Sequence, residues 1–116
     1  MNIGQTILEQ LGGSKFIAMT GCNHFVWDSN TDTLRMIIPR NGSKANRLHI
    51  KYNIGSDTYS MRFFKYIPGG LKIDRKKGTA DFVEDKEIEV KEYKEVYCDQ
   101  LQELFTEVTH MYTRLF

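Results

Sequence analysis

Two neighbouring stretches of this chain alternate in polarity with a period of two, and that pattern restricts the fold more than any other feature. Residues 47–54 (RLHIKYNI) place Leu48, Ile50, Tyr52 and Ile54 on one side and Arg47, His49, Lys51 and Asn53 on the other. Successive side chains of a strand point to opposite faces, so this is the signature of a strand with one buried face. Residues 58–67 (TYSMRFFKYI) repeat it, with Tyr59, Met61 and Phe63 alternating with Thr58, Ser60, Arg62, Phe64 and Tyr66. Gly55-Ser56-Asp57 between them is turn chemistry, which predicts an antiparallel hairpin.

The flanks add elements to that hairpin. Ile3, Ile7, Leu8 and Leu11 form one helical stripe over 3–11, stopped by Gly12-Gly13. Residues 15–27 are rich in strand formers, and the interior Gly21 predicts a bulge or a bend between two short strands. Residues 28–32 (DSNTD) form a turn into a strand over 33–38, where Leu34, Met36 and Ile38 point inward and Pro39 ends the pairing. Residues 40–46 are a polar loop, Pro68-Gly69-Gly70 breaks the second central strand, and 72–79 (KIDRKKGT) are a basic loop. We read 82–96 as a charged edge strand, although Val90, Tyr93 and Tyr97 also fit helical spacing. Leu101, Leu104, Phe105, Val108, Met111, Tyr112 and Leu115 fall on one face of a long C-terminal helix, with Asp99 and Gln102 resembling a capping box. The expected fold is α+β: a short N-terminal helix, an antiparallel sheet of four to five strands, and the long helix on one sheet face.

At 116 residues the chain suits a single domain spanning 1–116, and 41% hydrophobic with 27% charged residues excludes a disordered composition. A core of that size needs no disulfide or metal to hold it. No run of about 20 apolar residues exists to span a membrane. The first residues lack a basic stretch followed by an apolar one, so a cytoplasmic location without a signal peptide is expected.

Charge is informative by position. Residues 1–80 carry twelve Lys or Arg against five Asp or Glu, and residues 81–116 carry four against ten, a polarity hidden by the net charge of +1. Such a division suits a basic surface for a polyanion, two opposite faces that associate, or simple neutralisation within one fold.

Catalytic chemistry finds little footing, and the chain is not expected to be an enzyme or to need a cofactor. The three His and two Cys lack any paired ligand spacing, so a zinc site is not expected and both cysteines read as reduced, partly buried thiols. Asp28–Asp32 begins like a calcium loop, but Thr33 stands where glycine is required and Pro39 where a bidentate Glu belongs. Neither glycine pair has phosphate-loop spacing.

The outward face of the central hairpin is more suggestive. It aligns Arg47, His49 and Lys51 with Arg62, Phe64 and Tyr66, and cations beside aromatic rings are what holds single-stranded nucleic acid. The cations would follow phosphates while Phe64 and Tyr66 stack bases, and Arg40, Lys44, Lys72, Arg75, Lys76 and Lys77 in the loops would extend the track. The other reading puts Phe64 and Tyr66 beneath the N-terminal helix in a second small core.

The chain also resembles a family of small, largely uncharacterised proteins carried by bacteriophages and other bacterial mobile elements. The likeness rests on Leu11 to Gly21 (LGGSKFIAMTG), on Leu34 to Asn46, and on Tyr97-Cys98-Asp99-Gln100-Leu101-Gln102 running into Phe105-Thr106-Glu107-Val108. It implies no activity and no catalytic residues. In architecture alone, strands followed by a C-terminal helix are similar to the transcriptional-coactivator and whirly type of single-stranded-DNA binder, from which the N-terminal helix and the acidic segment depart. The expected partner is therefore single-stranded nucleic acid. The alternative is an assembly module, either a dimer with itself or a complex with a host or phage protein, built on the basic and acidic halves.

Overall fold

The computed structural model describes residues 3–111, with Lys72 described by its backbone alone. Helix α1 (Ile3–Leu11) buries Ile7 and Leu11 completely, as its stripe requires. Gly12 and Gly13 take positive φ and donate to the carbonyls of Glu9 and Leu8, which ends the helix. A second helix, α2 (Ser14–Thr20), follows where a strand was expected. Gly21 is the left-handed residue that ends α2, donating to the Ile17 carbonyl, so the glycine read as a bulge is a helix stop. Phe16 and Thr20, four residues apart, face the core together, and the Thr20 hydroxyl closes on the Phe16 carbonyl at 2.7 Å. That tertiary burial outweighs the β preference of the segment.

Strands β1 (Asn23–Asp28), β2 (Thr33–Ile37), β3 (Arg47–Asn53), β4 (Thr58–Ile67), β5 (Gly70–Asp74), β6 (Thr79–Val83) and β7 (Lys86–Val96) come next. Five of them form one antiparallel sheet in the order β1-β2-β3-β4-β7. The expected central hairpin is β3–β4, with Leu48 opposite Phe63, Ile50 opposite Met61 and Tyr52 opposite Tyr59. Ile54 departs from the expected inward set: it lies in the turn beyond β3 and is exposed. Of the edge strand expected over 82–96, residues 86–96 form β7 at the sheet edge, whereas 82–83 belong to β6.

A 3-10 turn (Cys98–Gln100) leads into α3 (Leu101–Thr109). The Tyr97 amide donates to the Gln100 side chain at 3.0 Å, so Gln100 makes the reciprocal cap contact assigned to Gln102. Among the described residues α3 is nine residues long, not the long helix expected, because His110 adopts the left-handed conformation and donates to the Thr106 carbonyl. Tyr112 and Leu115 of the expected stripe lie outside the described residues.

All three helices cover the same sheet face. Phe105 of α3 sits edge-on to Phe16 of α2 at 4.9 Å and 6.3 Å from Phe63 of β4, and Ile7 and Leu11 of α1 join the same cluster. This is an α+β layer of helices on one side of an antiparallel sheet.

Residues 72–79, expected as a loop, instead contribute to a second hairpin, β5–β6, whose turn (75–78) is shaped by Asp74 and Gly78. The Asp74 carboxylate accepts the amides of Lys76 and Lys77, and Gly78 has φ +64°. This arm prolongs the β4–β7 hairpin, since Ile67 pairs with Lys86 and, three residues on, Gly70 pairs with Val83. Its extension shows in a Cα radius of gyration of 16.6 Å, against roughly 13 Å for a compact chain of this length.

Candidate nucleic-acid interface

No described element covers the sheet face opposite the helices, and α1 packs on the other face, which excludes the reading that put Phe64 and Tyr66 beneath the N-terminal helix. The register places Arg47 opposite Phe64 and His49 opposite Arg62, so the alternation aligns these residues on one face. Arg35 joins them from β2, directly across from His49. Its outward position was legible, because Leu34 and Met36 on either side of it are inward residues.

The rings do not stand free on this face. Phe64 is only 2% exposed. The Arg62 guanidinium lies over its ring at 4.2 Å from the centroid, and His49 meets it edge-on at 4.8 Å. Arg47 covers Tyr66 in the same way at 5.1 Å, and the Tyr66 hydroxyl donates to the Asp85 carboxylate. The expectation of bare stacking platforms is therefore corrected, because the neighbouring cations roof the rings. A base would have to displace Arg62, losing a cation–π contact of about 0.5–2 kcal/mol and two carboxylate contacts, to gain roughly 1–3 kcal/mol of stacking. The exchange yields no clear gain.

Arg62 is held by β7. Its Nη2 donates to Glu87 at 3.0 Å and its Nε to Glu89. Glu92 stands opposite Arg62 across the β4–β7 pair, so the β7 edge of the face is an acidic border. Sequence reasoning missed it, since the pairing of β4 with β7 spans the whole arm. Arg35 is tied to Asp28, whose other oxygen accepts the Asn30 amide at 3.0 Å. The carboxylate that began the apparent calcium loop is thus a turn cap, held below the usual range first by the Asn30 amide and also by Arg35. No group of three or more metal-ligating side chains occurs among the described residues.

Arg47 and Lys51 carry no ion-pair partner among the described residues. Between them His49 is half-buried, and burial, then Arg35 and Arg62, with Arg47 a smaller contributor, push its pKa below the ordinary value near 6.5. A shallow pocket of about 350 Å³ here is lined by His24, Arg35, Arg47, His49, Tyr66 and Glu87 among others. A second of about 230 Å³ lies beside Lys51, Ser60, Arg62 and Glu92.

The structure does not bring the other predicted residues to this site. Arg75, Lys76 and Lys77 occupy the tip of the β5–β6 arm, a full strand length from its root, and the backbone of Lys72 runs in β5. Of the two thiols, Cys22 is buried, which raises its pKa, and Cys98 is exposed where partial burial was expected. No helix among the described residues is long and apolar enough to cross a membrane. No protein-family model matches the chain, and neither a curated protein nor a solved structure is significantly similar to it.

Proposed function

We propose that this chain is a non-enzymatic module, of the phage or mobile-element kind that it resembles, which binds single-stranded nucleic acid across the middle of its open sheet face. One observation carries the reading: all three helices pack on the other side, which leaves Arg47 and Lys51 on the open face without ion-pair partners among the described residues. Contact is made through phosphates, by Arg47, Lys51 and the partly engaged Arg35, and not by stacking on Phe64. The ring-backed guanidiniums of Arg47 and Arg62 present flat cationic planes, a surface against which unstacked bases also lie. The acidic border of β7 directs the strand toward β2 and β3.

Fluorescence anisotropy with a labelled oligothymidylate tests this. With three phosphate contacts, the logarithm of affinity falls against the logarithm of salt with a slope of about 2. Arg47→Glu combined with Lys51→Glu removes at least a tenfold share of the affinity, whereas Phe64→Leu leaves it nearly unchanged. Absence of binding at low salt overturns the proposal. A second reading, association between protein chains, has its own support in the β5–β6 arm.

A further inference from the structure

The arm exposes what a folded chain ordinarily buries. Cross-strand pairing sets Leu71 against Phe82 and Ile73 against Ala80, so one face of the hairpin is entirely apolar. Leu71 is 66%, Ile73 68% and Phe82 77% exposed. A two-stranded hairpin is marginal by itself in water, and among the described residues no third strand or helix lies against the apolar side of this one. Its root is nevertheless firmly set. Asp85 accepts the Gly69 amide at 2.7 Å and the Tyr66 hydroxyl, and a Cβ at Gly69 would lie 2.0 Å from the Val83 carbonyl oxygen. With the β4–β7 pairing continued into it, the arm extends from the body and leaves its apolar face uncovered.

We infer that this face packs on the same face of a second copy of the chain, the two arms running antiparallel about a two-fold axis. The argument for this occupant is charge. The tip, residues 74–78, carries Arg75, Lys76 and Lys77 against Asp74, whereas the root and the start of β7, residues 84–89, carry Glu84, Asp85, Glu87 and Glu89 against Lys86 and the Arg62 that Glu87 and Glu89 hold, so the root stays net acidic. Five paired residues make an arm about 17 Å long, too long and too rigidly rooted for its tip to meet its own root. In an antiparallel pair of arms each basic tip reaches the partner's acidic root, and symmetry makes the contact twice. The face offers four side chains, Leu71, Ile73, Ala80 and Phe82, against the roughly 20–30 residues a side of a standard interface, so the dimer is weak and depends on those charge pairs.

Sedimentation equilibrium of the full chain provides the test. The expected result is a monomer–dimer equilibrium that weakens as salt is raised. Phe82→Ser with Leu71→Ser abolishes it while leaving the circular dichroism of the body unchanged. Lys76→Glu with Lys77→Glu abolishes it, as does Glu84→Lys, and an equimolar mixture of the two charge variants restores a heterodimer. That restoration distinguishes arm pairing from any general loss of stability. A wild-type chain that stays monomeric, a dimer indifferent to all these changes, or an arm that binds only anionic vesicles or oligonucleotides overturns the inference. None of these substitutions touches Arg47 or Lys51, so the oligonucleotide result stands or falls separately.

Discussion

His49 shows how one side chain reports its surroundings. Burial and the arginines around it hold its pKa below the ordinary value near 6.5, so the folded chain resists a proton that the unfolded chain accepts. The sign follows from linkage: the contribution to stability is present above pH ~6.5 and is lost as pH falls through the folded pKa. His49→Gln is expected to flatten the fall in melting temperature between neutral and mildly acidic pH, measured by calorimetry. If a polyanion binds this face as proposed, it offsets the arginines and raises the His49 pKa, so anisotropy titrations are expected to show affinity strengthening on acidification. At this scale the sequence was a good guide to direction and a poor guide to exposure. Alternation correctly sent Arg47, His49, Arg62 and Phe64 outward. It could not show that a guanidinium would lie over each ring, because that contact joins residues on adjacent strands or two positions apart and depends on rotamer choice.

The elements differ in how plainly local pattern specifies them. Helix α1, β2 and the β3–β4 hairpin were legible, since in each the polar and apolar positions repeat with one period, whereas the edge strand fitted two periods and was read from its charge density. Helix α2 was not, because its seven residues mix β-branched and aromatic side chains and only the packing of Phe16 on Phe105 decides the outcome. The same packing yields a prediction. Phe105→Ala empties the space between Phe16 and Phe63 and should cost about 3–5 kcal/mol in urea denaturation, with the slope unchanged. The arm was hidden by the charges in its turn, although Leu71, Ile73, Ala80 and Phe82 alternate as hairpin residues do. Gly69→Ala should force its root apart, seen as faster amide exchange at residues 83–85 while β2 and β3 keep their protection.

Over the whole molecule, the charge polarity of the sequence becomes a spatial arrangement of three parts. A basic strip occupies the middle of the open face, β7 borders it with Glu87, Glu89 and Glu92, and the arm carries a separate basic cluster away from both. Neutralisation within the fold and a free basic surface, which looked like alternatives, both occur: Arg62 is neutralised by β7, while Arg47 and Lys51 are not. The division into helix-covered and open faces makes the account directly testable. Amide chemical-shift mapping during titration with an unlabelled oligothymidylate should move the signals of Arg35, Arg47, His49 and Lys51 and spare those of α1, α2 and α3. Shifts concentrated on the helices, or none at low salt, would contradict it.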